Sequence, residues 1–408
     1  VPERSLADAF TLLAAETVPV AQVESLAVCQ ARGRVLAQTI VCPLDLPGAD
    51  LAAMDGYAVR SADIAPGANR LRVIGRLLAG QVLAVPLGAG ACVRIMTGAP
   101  MPPGSDAVVV SESVVDDGQG HVRIPGPVEA GANRRRRGEH VHAGEVVMTP
   151  GRRLGVADVA LASAMGLSVV EVFRRLHVAV LSTGDELRDA PARLPEGGAY
   201  DSNRPMLLAA LAGAATVPVD LGICPDDPAA LERIVARALE DELDVLLISG
   251  GAAQGDADVV RGLDRVRFVD IAVRPGRGLA IAHVARGGQR LLVLGLPGNA
   301  VAAYVLLYAL ALPLLRRLGG AALQPPRPLL LPIARDLHAR PGRIELRRAR
   351  LLGDASGRRL VDPLPEQGSA MIRSVAEADA LLAVGPAAEY RSGDLLPVYP
   401  IETFEGAH

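Results

Sequence analysis

The chain reads as a multi-domain α/β protein built around a central, doubly wound, mostly parallel sheet. Three observations predict it. From Leu176 to Leu318, apolar runs alternate with helical patterns, the signature of strand–helix–strand units. From Pro43 to about Pro150, short alternating runs are separated by Pro/Gly turns, which marks a small β-rich domain. After the Gln324-Pro325-Pro326-Arg327-Pro328 linker, residues 329–408 again read as short strands and turns. A length of 408 residues exceeds one ordinary core and calls for two to four domains.

In chain order, Ser5 through Thr17 reads as an amphipathic helix, with Ser5 as N-cap and Asp8 three residues on. Residues 19–40 read as a second short helical stretch with an extended exit, Gln38-Thr39-Ile40-Val41. In the β-rich segment, Leu71-Arg72-Val73-Ile74 and Ala107-Val108-Val109-Val110 are strands. Residues 155–166 form a helix. The central segment places strands at Val178–Leu181, Thr216–Leu221, Val245–Ile248 and Leu291–Leu294. Its helices fall at 203–213, 228–241 and 299–318.

Composition removes several functions. Hydrophobic residues make up 50% and aromatics 2%, with no Trp, so the cores are aliphatic and base-stacking platforms are not expected. A net charge of −3 argues against a nucleic-acid binder. All 42 basic residues are Arg, which stay protonated: they can clamp anions but cannot act as Schiff-base or P-loop lysines. Four scattered cysteines without a C-x-x-C pair fit a reducing compartment and give no zinc site. The start shows no signal-peptide apolar region, and the expected location is cytoplasmic. Residues 291–315 carry no charge, but Pro297, Gly298, Asn299 and Pro313 interrupt them; a buried strand, a turn and a buried helix are expected, with no membrane contact.

Three loops carry the chemistry, each directly after an apolar strand: Ser182-Thr183-Gly184-Asp185-Glu186-Leu187, Ser249-Gly250-Gly251 running on to Gly255-Asp256-Ala257-Asp258, and Gly295-Leu296-Pro297-Gly298-Asn299. Parallel strands share a carboxyl edge, where ligands bind, so these loops should converge. Glycine turns expose backbone N–H groups to a phosphate, and carboxylates beside them suit a divalent cation. Thr183, Gly184, Asp185, Ser249, Gly250, Gly251, Pro297, Gly298 and Asn299 are therefore candidate binding residues. Glu186, Asp227, Asp256 and Asp258 are candidate metal ligands. The alternative for Asp227, in Asp226-Asp227-Pro228, is a helix cap. Arg274-Pro275-Gly276-Arg277 could clamp an oxyanion with two guanidiniums, or be an ordinary basic hairpin. The Arg134–Arg137 run before His140 and His142 reads as a solvated face, although a metal pair is conceivable.

Taken together, the ordered segments Met54-Asp55-Gly56-Tyr57-Ala58, Arg94 through Pro100, Asn133 through Glu139, Ser182 to Leu187, Tyr200-Asp201-Ser202-Asn203, Ser249-Gly250-Gly251, Arg274-Pro275-Gly276, Leu296-Pro297-Gly298-Asn299 and Gln367-Gly368-Ser369 resemble the molybdopterin molybdotransferase family, the MoeA-type proteins that include the gephyrin E domain. The resemblance covers nearly the whole chain. It implies an elongated N-terminal domain (1–43 and 144–174), an inserted β-rich domain (44–143), a molybdopterin-binding α/β domain (175–322) and a C-terminal β-barrel-like domain (329–408). It also implies a homodimer that docks a molybdopterin adenylyltransferase and molybdoenzyme maturation factors. The implied reaction inserts molybdate into adenylylated molybdopterin and releases AMP, assisted by Mg²⁺ or Zn²⁺. Carried over residue by residue, Asp55 is an active-site acid, Glu186, Asp227 and Asp258 are central acids, Arg274 stands where Lys is usual, and Pro297 is a cleft proline.

Some positions depart from the family pattern. His140 replaces an acid, Asp270 a Lys, Ala252-Ala253-Gln254 the usual Val-Ser-Val, and Gly278 and Ala300 prolines. A carboxylate at 270 is expected to weaken anion binding by repulsion. The rival reading is therefore a diverged paralogue that binds molybdopterin or nucleotide without inserting metal. A third is another magnesium- and nucleotide-dependent α/β transferase.

Overall fold

The computed structural model describes residues 3–64, 69–212, 215–250, 259–263, 265–322, 327–353, 356–386 and 389–401. The chain divides into two compact units. One comprises residues 1–38, 150–160 and 168–408, and the other residues 39–149 and 161–167.

The larger unit is built on a six-stranded sheet. Its strands are β1 (Leu176–Thr183), β2 (Thr216–Cys224), β3 (Val245–Ser249), β4 (Arg267–Asp270), β5 (Gly278–Arg286) and β6 (Gln289–Leu296), in the spatial order β2-β1-β3-β6-β5-β4. Strands β2, β1, β3 and β6 are mutually parallel, as the sequence predicts, while β5 runs antiparallel to both β6 and β4. The runs are apolar on both faces because both faces are covered. Val178, Val180, Leu247 and Leu294 pack with the helices α1 (Leu6–Glu16), α2 (Asn203–Ala212) and α4 (Ala300–Leu318). Ala179, Leu181, Leu246 and Ile248 point the other way, onto α3 (Pro228–Glu240).

Helix α1 begins as its sequence dictates: the Ser5 hydroxyl oxygen accepts from the Asp8 N–H at 3.1 Å. Helix α4 contains a π turn over Leu307–Ala311. It is the one helix among the described residues long and apolar enough to cross a membrane, yet 89% of its most apolar window is buried, which makes it a core helix.

The expected helical stretch at 19–40 is corrected. Val23–Ala27 is a strand paired antiparallel with Val169–Phe173, and only Val28–Gln30 forms a short 3₁₀ turn. The five residues pair with a segment far along the chain, and that pairing overrides local preference. The exit at Ile40–Val41 is extended, as expected.

In the same unit, Val273–Arg274 starts a second sheet. It pairs in parallel with Ile344–Gly353, which continues through Ala380–Val384 and Leu395–Pro400 to Leu329–Pro332. The smaller unit contains another six-stranded sheet, ordered Ala107–Val110, Gly56–Val59, Ala91–Ile95, Arg70–Leu77, His121–Arg123, Val115–Asp116. Its core is aliphatic, with Ala58, Val93, Ile95 and Val108 wholly buried or nearly so.

Candidate active site

Register brings the strand ends together. Ser182 lies opposite Ser249, Ser249 opposite Leu296, and Thr183 opposite Cys224. The loops after β1, β2, β3 and β6 therefore leave from one edge. Strand β5 starts at that edge too, because Gly278 faces Asp270 and Ala280 faces Gly295.

At this edge the loops are in contact. The Gly184 N–H donates to Cys224 O at 3.2 Å, and the Gly250 N–H donates to Leu296 O at 3.1 Å. Gly250 has φ +106°, and a Cβ there would meet Thr183 O at 2.8 Å. A Cβ at Gly298 would lie 3.4 Å from Gly250 Cα. Only glycine at 250 allows this close approach. Ser182, Thr183 and Ser249 are buried polar side chains at the strand ends.

Asn203 organises the edge. Its Nδ2 donates to Ser249 Oγ at 2.7 Å and to Gly298 O at 2.8 Å, tying the second loop to the third. Its buried Oδ1 has no hydrogen-bond partner. Asp201 supports the first loop: its Oδ1 accepts from Ser182 Oγ at 3.0 Å and from the Asn203 and Arg204 N–H groups at 3.1 Å. Arg204 is held in turn by Asp201, Asp189 and Asp220. The sequence signal for Asn203 lay in the Tyr200–Asn203 segment, which carried the resemblance but no assigned role.

The acids divide. Burial, with the charges of Asp185 and Glu186, raises the Asp226 pKa, so this corner holds a surplus of negative charge. Asp185 Oδ1 accepts from the Asp226 N–H at 3.1 Å. Asp227 caps α3, its Oδ1 accepting from the Ala229 N–H at 3.0 Å, and Asn299 caps α4 through the Ala302 N–H at 3.1 Å. One oxygen of each side chain is thereby used structurally. Gly251, Asp256 and Asp258 lie outside the described residues. Among the described residues no three His, Cys, Asp or Glu converge as a metal cage. His140 and His142 are exposed, and His142 Nδ1 lies 3.8 Å from Asp45 rather than in a metal pair.

The two arginines of the Pro-Gly turn part company. Arg277 Nε lies 3.8 Å from Asp270 and 3.5 Å from Glu3. Arg274 instead lines a cavity of about 600 Å³ with Arg340, Arg347, Arg348 and Glu345, and Gln367-Gly368-Ser369 also line it. Arg348 is 1% exposed; it donates to Ser374 Oγ at 3.0 Å and Gly368 O at 3.0 Å, and burial lowers its pKa. Sequence reasoning missed Arg340, in the loop before the strand, and Arg347 and Arg348 within it, because arginines there read as solvated surface.

In the smaller unit, Asp55 Oδ1 accepts from the Thr97 hydroxyl at 2.6 Å and the Thr97 N–H at 2.7 Å. The Thr97 hydroxyl is the largest cause holding the Asp55 carboxyl below its ordinary range; Arg76 and Arg94 add to it.

A mixed sheet with a glycine-lined carboxyl edge and an arginine-walled cavity in one unit, with a β-rich sheet in the other, defines a multi-domain α/β protein suited to an anionic ligand. Known proteins agree with that class. Residues 4–166 match the MoeA N-terminal region (domain I and II), residues 179–317 the probable molybdopterin binding domain, and residues 331–401 the MoeA C-terminal region (domain IV). A molybdopterin molybdenumtransferase of Haemophilus influenzae is 33% identical over 89% of this chain and 90% of its own length. The corresponding protein of Synechococcus elongatus is 34% identical over 93% and 96%. A crystal structure of a molybdopterin biosynthesis MoeA protein from Pyrococcus horikoshii superposes with a TM-score of 0.83 at 25% identity, covering 98% of this chain and all of that one. The chain belongs to the MoeA family, the molybdopterin molybdenumtransferases of molybdenum cofactor biosynthesis.

Proposed function

We propose that the chain inserts molybdate into the dithiolene of adenylylated molybdopterin and releases AMP. One observation carries this reading: a single compact unit holds both a glycine-lined sheet edge and an arginine-walled cavity, and the segment after β4 runs from one to the other. The phosphates lie against the Gly184, Gly250 and Gly298 loops, where the absence of a side chain lets a ligand approach the backbone closely. Molybdate, a tetrahedral oxyanion, takes the cavity, where Arg274 and its neighbours neutralise its charge.

Magnesium, or zinc, is the assisting ion in this proposal, held by Glu186 and Asp227 with Asp256 and Asp258. The like charges around Asp226 support a cation there. Its chemistry is that of a Lewis acid, drawing charge from the phosphoanhydride. The partner set is also proposed: a homodimer in which Asp55 acts across the dimer, docking a molybdopterin adenylyltransferase and molybdoenzyme maturation factors.

A single-turnover reaction with adenylylated molybdopterin, molybdate and Mg²⁺ tests the reading. AMP and pterin-bound molybdenum should appear in equal amounts. Replacing Asp258 with Ala should abolish both, and Arg274→Lys should retain turnover that Arg274→Ala loses. Pterin binding with neither product in the unmodified protein would instead establish the non-inserting paralogue.

A further inference from the structure

The arginine cavity contains one group that opposes its charge. Glu345 is 8% exposed and lines the cavity among Arg274, Arg340, Arg347 and Arg348. Its Oε2 accepts from Arg347 Nε at 2.8 Å, with Arg347 Nη2 at 2.7 Å. Its buried Oε1 has no hydrogen-bond partner. Arg274 Nη1 and Arg340 Nε stand 3.9 and 4.0 Å from that pair of oxygens' free member, Oε1, beyond hydrogen-bond reach. Both guanidiniums belong to partly exposed side chains, 40% and 75% exposed, free to turn toward a ligand. Arg347 is more enclosed, at 14%.

An oxyanion that draws Arg274 and Arg340 to itself uncovers Oε1 and places one of its own oxygens there. A bare oxide would face a carboxylate oxygen, two acceptors with no hydrogen between them. A hydroxyl would donate to Oε1 and satisfy it. We propose that Glu345 is the specificity-determining residue of this cavity, admitting a tetrahedral oxyanion that carries a proton and rejecting one that cannot. Phosphate carries such a proton near neutral pH. Molybdate takes one up more readily than sulfate, whose conjugate acid is the stronger of the two. Sulfate has the same shape and charge as molybdate, so charge alone cannot separate them; a buried acceptor can. Leaving that acceptor unpaired costs enough to weaken sulfate by about tenfold or more.

The inference rests on the oxyanion reading of the cavity given above. The test is calorimetric titration of the full chain with molybdate, phosphate and sulfate near pH 7, in two buffers of different ionisation enthalpy. The unmodified protein should bind molybdate and phosphate at least about tenfold more tightly than sulfate, with roughly one proton taken up per molybdate. In Glu345→Gln, whose side chain can donate as well as accept, sulfate should approach molybdate in affinity and the uptake should vanish. Glu345→Asp, which keeps the carboxylate, should retain much of the selectivity. The other titratable group on the cavity wall is His338, since the remaining charged neighbours are arginines. Proton uptake that survives in Glu345→Gln would assign the proton to His338 and overturn the proposal. So would unchanged selectivity in a folded Glu345→Gln, or sulfate binding the unmodified protein as tightly as molybdate. If none of the three anions binds the unmodified protein, the oxyanion reading itself fails, and this inference fails with it.

Discussion

Replacing Asn203 with Leu separates a structural role from a functional one. Leu keeps the branch point and the number of side-chain heavy atoms of the amide, in a somewhat larger volume. The change removes two hydrogen bonds, to Ser249 Oγ and Gly298 O. At about 0.5–1.5 kcal/mol net for each bond, the loss is about 1–3 kcal/mol. It also removes Oδ1, which is buried without a partner. Relief of an unsatisfied buried acceptor returns about 1–3 kcal/mol. The two effects nearly cancel, so the melting temperature should move by less than about 4 °C. Function should not be spared. The amide is the side chain that ties Gly298 O to Ser249 Oγ, and without it the Gly298 loop is held to that edge less tightly. Turnover should fall by about tenfold or more, since small misplacements at a reacting site are costly. The assay pairs a thermal melt with single-turnover AMP release. A loss of melting temperature well beyond 4 °C with undiminished turnover would refute the reasoning, because Asn203 would then be a strut alone.

Two further changes follow, one in each compact unit. Gly250→Ala places a methyl group 2.8 Å from Thr183 O at φ +106°; it should cost about 1–3 kcal/mol in a melt and sharply reduce phosphate-ligand affinity. Thr97→Val removes the 2.6 Å hydroxyl donor to Asp55. Because the Asp55 carboxyl is held below its ordinary range, its ionised form is the favoured one in the folded protein, and that advantage is present above the ordinary carboxylate pKa and lost as pH falls through the lowered value. The variant should raise the Asp55 pKa in an NMR titration and shift the acid limb of the rate profile to higher pH; an unmoved limb would remove Asp55 from the reaction.

The central sheet was legible because parallel strands buried on both faces are written as unbroken apolar runs. Val178–Leu181, Val245–Ile248 and Leu291–Leu294 all became strands, each somewhat longer than its run. The loops were legible for the same reason, since a glycine-rich turn after a buried strand must lie at the carboxyl edge. What failed depended on distant partners. Val23–Ala27 is a strand only because Val169–Phe173 pairs with it. Arg340, Arg347 and Arg348 became cavity walls only because the strand at Val273–Arg274 aligns with Ile344–Glu345. No local pattern distinguishes those arginines from a solvated face. Asp227 and Asn299 show the converse: the residue types were right for a site, and the chain also uses them as helix caps.

Asp270 is where local sequence and tertiary charge disagree most. A carboxylate in place of Lys suggests a site weakened toward anions. The surrounding charges argue otherwise. Arg277 Nε lies 3.8 Å from Asp270, and the Asp270 charge also acts on Arg343, whose pKa is raised first by its hydrogen bond to Glu3. The arginine-walled cavity is formed by other residues, with Arg274 supplying the positive charge. Asp270 therefore serves as a counter-ion within a group of Arg277, Arg343 and Glu3, and its effect on the cavity is offset by those arginines. Asp270→Lys would set three cations against Glu3 alone. It should lower thermal stability, modestly because Arg277 is well exposed, and it should not raise turnover. Pairing it with Arg277→Asp should restore the melting temperature by re-forming an opposite pair. A large gain in turnover from Asp270→Lys alone would reverse this conclusion and make the acid at 270 the feature that disables the site.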